Sequence, residues 1–344
     1  MSVAVIFGGA GYIGRNWTVR LASEDRFQRI VVADVRPPGG PMPERVEFRS
    51  CDVRRPIGPQ LGSIAAEWIF NFAAVHREPG HEATEYFDTN LAGARHVCEF
   101  SEAVGCHNLL FTSSIAVYGP TPCATTEASP TYPRSPYGIS KLCAELIHES
   151  WQRTRMGRRL VICRPGVIYG PGDPGNILRM IRAIQRGYFF FPGPLTLRKS
   201  YGYIHGLLES FQFAMTLSQP LLRYNYVERE TETIGELVRI IRRQLRCSAP
   251  TFSVPLWLLQ PAAAAMQVVT RGRSPIHPAR VRKAATPTHI VPEQLQELGF
   301  RFPYDFPSSL EHWRSQAPLD FSRNGSFSGS KLRLEIQEGS REHN

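Results

Sequence analysis

A tyrosine and a lysine stand four residues apart in the run Ser135-Pro136-Tyr137-Gly138-Ile139-Ser140-Lys141. On a helix that spacing projects both side chains from one face, about one turn apart. An ammonium beside a phenol favours the charged phenolate and brings the hydroxyl down from its usual pKa of about 10 toward working pH. Such a pair is a proton-transfer catalyst for a hydroxyl or a carbonyl. The spacing also arises by chance on exposed helices, so its meaning depends on what the rest of the chain supplies.

The elements that must position the pair begin at the N-terminus. Ser2-Val3-Ala4-Val5-Ile6-Phe7 reads as a short buried strand, and it runs into Gly8-Gly9-Ala10-Gly11-Tyr12-Ile13-Gly14 with a helical pattern through Leu21. Glycines at 8, 11 and 14 permit a tight turn, let backbone amides approach a pyrophosphate, and let the helix pack close to the strand. The helix N-terminus then faces the phosphates with its positive end. A second strand, Arg29 to Ala33, ends at Asp34. A carboxylate there binds the adenosine ribose hydroxyls and repels a 2′-phosphate, which favours NAD, while Arg36 close by leaves NADP open.

Strand-like apolar runs recur near 2–7, 29–33, 68–73, 108–113 and 160–164, separated by helical stretches. This alternation predicts an α/β fold: a Rossmann-type doubly wound parallel sheet with helices on both faces. The ligand then lies across the carboxyl ends of the strands, where Gly11, Asp34, Ala73 and Ser114 all fall. Pro120 to Pro136 reads as a surface loop leading into the Tyr137 helix.

With these motifs in order, the sequence resembles the extended short-chain dehydrogenase/reductases, specifically the NAD-dependent epimerase/dehydratase family of nucleotide-sugar enzymes, over roughly residues 2–316. Cys51-Asp52-Val53 resembles the acidic turn that contacts adenine. Asn71-Phe72-Ala73-Ala74 resembles the strand end beneath the cofactor, and Asn90 the helix residue that braces it. Phe111 to Gly119 is similar to the strand presenting the catalytic serine or threonine, here Ser114. Arg164-Pro165-Gly166 through Gly172 is similar to the crossing into the substrate domain. Tyr203-Ile204-His205 matches a later landmark, but Gly206-Leu207-Leu208 stands where an acidic pair commonly follows.

The resemblance implies reversible oxidation at C4 of a nucleotide sugar. Tyr137 as phenolate takes the C4 hydroxyl proton while hydride passes to the nicotinamide. Ser114 bonds the same oxygen, and Lys141 binds the nicotinamide ribose and, with the positive nicotinamide ring, lowers the tyrosine pKa. Gly8, Gly11, Tyr12, Ile13, Gly14, Asp34, Asp52, Val53, Phe72, Ala73, Ala74, Asn90 and Pro165 surround NAD together with Tyr137 and Lys141. Ser114 and Tyr137, with Asn176 and Arg198 or Lys199, meet the substrate, and Arg280 or Arg282 supplies a second phosphate contact. No acid follows Ser114, which weighs against dehydration. The recycled NAD implied by Asp34 favours an epimerase over a net reductase. A reductase or dehydrogenase of a nucleotide sugar, a lipid-linked sugar or a sterol-like alcohol is the alternative. The family also implies a homodimer through a four-helix bundle that includes the Tyr137 helix and the helix near 90–104.

The expected layout is an NAD-binding domain over 1–165 and a smaller, interleaved substrate domain over 166–321, some of whose segments return to the first. A polar, disordered tail follows over 322–344. Composition agrees with a large α/β enzyme: 344 residues and 42% hydrophobic. Seven cysteines without a Cys-x-x-Cys pair suit neither a metal site nor a disulfide framework, and imply a reducing, cytoplasmic setting. The first strand starts without a basic lead, so no signal peptide is expected. Between Arg223 and Lys283, eleven basic residues face four acids, a net +7 within the chain's +10. That charge suits a diphosphate; no nucleic-acid motif accompanies it. The apolar run Val254–Val269 is too short to span a bilayer and reads as a buried helix of the substrate domain. The alternative is a membrane-surface helix flanked by Arg242, Arg243, Arg246, Arg271 and Arg273, suited to a polyprenyl-linked sugar.

Overall fold

The computed structural model describes residues 2–322 except 79, 174, 249 and 271–277, and leaves out the side chains of 262, 267–269, 279 and 280. The tail beyond Ser322, and with it Arg271 and Arg273, lies outside the described residues.

Thirteen strands are described: β1 Val3–Phe7, β2 Arg29–Asp34, β3 Val46–Ser50, β4 Trp68–Asn71, β5 Asn108–Thr112, β6 Thr121–Thr125, β7 Arg159–Pro165, β8 Val167–Tyr169, β9 Phe189–Pro192, β10 Tyr201–Tyr203, β11 Leu221–Tyr226, β12 Thr251–Val254 and β13 Thr288–Ile290. The helices are α1 Tyr12–Ala22, α2 Gly58–Leu61, α3 Ala83–Ala103, α4 Pro136–Arg153, α5 Asn176–Gln185, α6 Ile204–Thr216, α7 Ile234–Leu245, α8 Leu256–Val269, α9 Pro278–Ala285, α10 Glu293–Glu297 and α11 Phe306–Gln316.

Seven parallel strands form the main sheet in the order β11-β7-β5-β4-β1-β2-β3. Alternation along β1 shows why both faces are covered. Ala4 and Ile6 enter one core with Trp17 of α1 and Phe211 of α6. Val3, Val5 and Phe7 enter the other with Val97 of α3 and Ala144 of α4. Side chains of a strand point alternately to the two faces, so a strand apolar throughout must be sandwiched between helix layers. Edge-to-face contacts of Trp17 with Phe70 and Phe211, both at 5.4 Å, lock α1 and α6 onto the sheet.

The chain winds outward from β1 in both directions, so a crevice opens between the ends of β1 and β4. Two strands of the sheet escape the sequence pattern: β3 is half-exposed and carries Glu47 and Arg49, and β11 is interrupted by Arg223 and Asn225. The strand β11 lies beyond residue 166 yet pairs with β7, so the second half of the chain returns to complete the first half's sheet. The expected loop from Pro120 to Pro136 contains β6, which pairs in parallel with β13. Its alternation is short and its prolines dominate the local pattern, which hides the strand.

The expectation of a buried helix over Val254–Val269 is corrected. In α8, Ala263 is buried, but Trp257, Leu258 and Met266 are exposed. Apolar composition alone cannot distinguish a core helix from one whose apolar face is uncovered.

Candidate active site

The glycine turn makes a cradle that only bare backbone can form. A Cβ on Gly8, at φ +74°, would lie 2.5 Å from the Ala73 nitrogen, and one on Gly14 would lie 2.3 Å from the Gly8 oxygen. Both are collisions with backbone, so β1, α1 and the Phe72-Ala73 segment approach closely because glycine is there. Gly11 caps α1 with no side-chain hydrogen bond, and the first turn of this 11-residue helix has no acid. Its amides therefore remain available to an anion. Asp34, at the end of β2, accepts from the Ala10 nitrogen at 3.1 Å and from the Arg36 nitrogen at 3.2 Å. The acid is thereby held against the turn. This cradle, the uncapped helix end and the adjacent carboxylate fit the diphosphate and ribose of a dinucleotide. Tyr12 and Ile13 begin α1 and pack against the core, Tyr12 with its buried hydroxyl unpartnered.

Asn90 braces the chain at the floor of the crevice. Asn90 of α3 accepts from the Val75 nitrogen at 2.9 Å and donates to the Val75 oxygen at 3.1 Å, fixing the chain just past Phe72, Ala73 and Ala74. The Asn90 amide also reaches Ser140 Oγ of α4 at 2.9 Å. Val53 is buried against Gly93 of α3. Asp52 has a double role: Oδ1 accepts from the Arg54 nitrogen at 3.0 Å, while Arg54 Nη2 grips Oδ2 at 2.6 Å and holds the carboxyl below its usual range. Pro165 ends β7 opposite Tyr226.

Tyr137 sits in the first turn of α4, which Ser135 caps by accepting from the Gly138 nitrogen at 3.2 Å. Gly138 is essential to the placement. A Cβ there would meet the Ala116 oxygen at 2.5 Å, so only glycine lets α4 close on the 3-10 turn Ile115–Tyr118 that follows Ser114. Ser114 Oγ caps that turn by accepting from the Ala116 nitrogen at 3.1 Å, and it lies near enough to Tyr137 to favour the charged phenol. Serine and phenol therefore converge at the carboxyl end of β5, beside the crevice.

Lys141 lies one turn on, buried, with Nζ donating to the Thr112 oxygen at 2.7 Å and standing 4.6 Å over the Phe111 ring. Burial lowers it to about 7, partly opposed by the charge of Glu145. Tyr137 departs from expectation: burial pushes it up to about 12, the nearby Ser114 hydroxyl opposes this, and the charge of Glu78 adds to the rise. The expected phenolate is thus not produced by Lys141 alone. Its ammonium is directed at a β5 carbonyl and is itself driven toward neutrality. The positive nicotinamide ring that the resemblance implies would have to lower the phenol when bound.

Sequence reasoning passed over the residues that hold α4 in place. Glu145 receives Arg164 of β7 in a buried two-pronged pair, at 2.9 and 2.6 Å. Arg164 also donates to Tyr118 Oη at 2.7 Å, and Tyr118 donates to Asn225 of β11 at 2.9 Å. His148 stacks on Phe111 at 4.2 Å between ring centroids and meets Asn71 Nδ2 at 3.2 Å. Residues 137, 141, 145 and 148 form one stripe along α4. Polar and charged residues on a helix face that packs against a sheet were the available signal.

The substrate candidates are more scattered. Asn176 opens α5, whose Gly175 cap has no side-chain partner. Arg198 donates to the Thr231 oxygen and lines a cavity of about 390 Å³ with Arg229, His289, Glu230, Glu232 and Glu236, apart from Ser114 and Tyr137. Lys199 donates to the Lys283 oxygen at 2.9 Å and to the Thr286 oxygen. Arg280 lies in α9 with its side chain outside those described, and Arg282 is exposed in the same helix. The missing acidic pair after His205 has a packing explanation: Leu207 and Leu208 are buried, and a Cβ on Gly206 would collide with Tyr226 Oη. Among the described residues no cluster of His, Cys, Asp and Glu could hold a metal ion.

Known proteins are similar to this chain in sequence and in fold. The N-acetyl-alpha-D-glucosaminyl-diphospho-ditrans,octacis-undecaprenol 4-epimerase of Escherichia coli O157:H7 is 29% identical over 265 residues, spanning 76% of this chain and 80% of that protein. UDP-glucose 4-epimerase 1 of Oryza sativa subsp. japonica is 30% identical over 53% of this chain and 59% of its own. In fold, the chain matches the UDP-N-acetylglucosamine 4-epimerase from Methanobrevibacter ruminantium M1, solved with UDP-N-acetylmuramic acid. That match has a TM-score of 0.72 and 19% identity over 92% of this chain and 99% of the other. Residues 4–225 match the model of the NAD dependent epimerase/dehydratase family, and with the glycine cradle and the Ser114–Tyr137–Lys141 set in place, the chain belongs to that family.

Proposed function

We propose that the protein is an NAD-dependent 4-epimerase of a hexose carried on a nucleoside diphosphate. The observation that carries this reading is the convergence of Ser114 and Tyr137 at the end of β5, next to a cradle that fits a dinucleotide. When bound, NAD supplies a hydride acceptor that returns what it takes. The backbone of Gly8, Gly11 and Gly14 and the first turn of α1 hold its diphosphate, and Asp34 takes the ribose hydroxyls. Lys141 holds the second ribose.

Tyr137 then removes the proton from the C4 hydroxyl as the C4–H bond breaks, and Ser114 bonds the same oxygen throughout. Their roles reverse when hydrogen returns to the opposite face of the resulting 4-keto sugar, with Tyr137 giving the proton back. Ile115 and Ala116 follow Ser114, so no carboxylate adjoins it in sequence to drive elimination at C5 and C6. This supports epimerisation over dehydration. Asn176 at the uncapped start of α5 is our candidate for a diphosphate contact, with Arg198 and Arg280 as further ones. A homodimer through α3 and α4 accords with the exposure of Ile139 and Leu146, seven residues apart on α4.

A second reading shares the chemistry but changes the carrier: the sugar diphosphate is borne by a polyprenol. The name of the E. coli relative supports it, as does the uncovered apolar face of α8.

Purified protein incubated with UDP-glucose, UDP-N-acetylglucosamine or a polyprenyl-diphosphate N-acetylglucosamine, with no cofactor added, tests both readings by proton NMR of the anomeric region. The C4 epimer should form from at least one. Net oxidation or reduction that needs stoichiometric cofactor would overturn the epimerase reading.

A further inference from the structure

Large apolar side chains gather on the small β9–β12 sheet and the start of α8. Along β9, Phe189 and Phe191 turn into the core while Phe190 points out, 56% exposed. Its ring stacks on Phe252 of β12 at 5.2 Å and lies 5.9 Å from Tyr188; these two are 47% and 45% exposed. The chain turns at Pro255 and presents Trp257 at 72% exposure and Leu258 at 48%. Nothing in core packing calls for this concentration of exposed aromatic surface.

Charge identifies the partner. From Leu237 to Pro292 the chain has nine basic residues and no acid. Arg242 and Arg243 close α7 and Arg246 follows, just before β12, with Arg242 bonded to Thr251 Oγ1 at 2.5 Å. Arg282 and Lys283 lie in the last turn of α9. Aromatic rings beside arginines, in a stretch of sequence that carries no acid of its own, suit the headgroup region of an anionic bilayer, where rings sit at the interface and guanidinium groups meet phosphate. No described helix is long and apolar enough to cross a membrane, so contact is along the surface.

The same unit touches the catalytic rim. A Cβ on Gly193, just past β9, would lie 3.6 Å from Ala285 of α9. Lys283 of α9 pairs with Glu78 at 3.2 Å. The charge of Glu78 acts on Tyr137, and Tyr86, whose ring is 6.1 Å from that of Tyr137, lies beside it.

We propose that the face formed by Tyr188, Phe190, Phe252, Trp257 and Leu258 docks on an anionic phospholipid surface and presents a lipid-carried sugar diphosphate to the Tyr137 crevice. Its purpose rests on the second functional reading, but its test needs no turnover, so the two can fail separately.

The wild-type protein carries its own probe. Of five tryptophans, Trp17, Trp68, Trp151 and Trp313 are buried, and Trp257 is exposed. Vesicles of phosphatidylglycerol and phosphatidylethanolamine should shift its emission to the blue and shield it from iodide, and brominated acyl chains should quench it. Pure phosphatidylcholine should do so far more weakly. Trp257→Ser and Phe252→Ser should each cut vesicle flotation at least about tenfold and leave NAD binding, read by calorimetry, unchanged. Arg243→Gln with Arg246→Gln should weaken flotation on anionic vesicles only. Emission unaffected by every vesicle overturns the proposal. So does a blue shift that follows protein concentration instead, with Trp257→Ser lowering the oligomer mass, since a second copy then covers the face.

Discussion

At the scale of single residues, burial rather than pairing governs the site's ionisation. The four-residue spacing correctly put Tyr137 and Lys141 on one helix face, but it could not show that Lys141 aims at the Thr112 oxygen. That direction depends on where β5 ends, a fact of the fold and not of the motif. The folded Lys141 titrates near 7, below its ordinary 10.5. The folded protein therefore binds fewer protons than the unfolded chain between those values, and stability rises with pH across that window. Below about pH 7 the burial cost of the charged lysine is fully present. We predict that the cofactor-free wild type gains stability relative to Lys141→Met as pH is raised from 7 to 9, measured by urea midpoints. A pH-independent difference would show that Lys141 is not desolvated.

At the scale of elements, α4 is placed by close approach and by a buried ion pair. Gly138→Ala puts a Cβ within 2.5 Å of the Ala116 oxygen and should move Tyr137 off Ser114. A shift of about 1 Å at a reacting group costs on the order of a hundredfold in rate, so kcat should fall about ten- to a hundredfold. NAD binding, measured by calorimetry, should remain. An unchanged kcat would mean that the 3-10 turn after Ser114 simply yields.

The Glu145–Arg164 pair makes a different prediction. Glu145→Ala leaves a buried guanidinium uncompensated, a loss of about 3–5 kcal/mol, seen as a large fall in the denaturation midpoint. Glu145→Leu combined with Arg164→Met should recover much of it, because well-packed apolar residues can replace a buried pair. Equal losses in both variants would show that the pair is more than a matched charge. None of this was legible beforehand. The strands β1, β2, β4, β5 and β7 announce themselves because both their faces are buried, and the glycine turn because backbone packing admits nothing larger. A partner such as Arg164, 19 residues away from Glu145, leaves no local pattern.

At the scale of the whole molecule, the sequence reading was strongest in the cofactor half and weakest beyond residue 172, where segments return to elements laid down earlier. The helix α8 illustrates the limit: its composition reads as core, and only the assembled surface shows that Trp257 has no cover. The exposed faces also bear on assembly. Leu146 is 60% exposed on α4, and Leu146→Arg should convert the proposed homodimer to a monomer by light scattering without unfolding it. A monomeric wild type, or a dimer indifferent to the change, would remove α4 from the interface.

The central claim is that hydrogen leaves C4 of a sugar and returns to the same carbon from the other side. A substrate bearing deuterium at C4, chosen from whichever diphosphate sugar turns over, tests this most directly. NMR of the product should show the C4 epimer with deuterium retained at C4 and none gained from heavy water in the converse experiment. It should also show at least about a hundredfold less of it with Tyr137→Phe, the scale of a general acid–base contribution. Deuterium washed out to solvent, or full activity in Tyr137→Phe, would contradict the account.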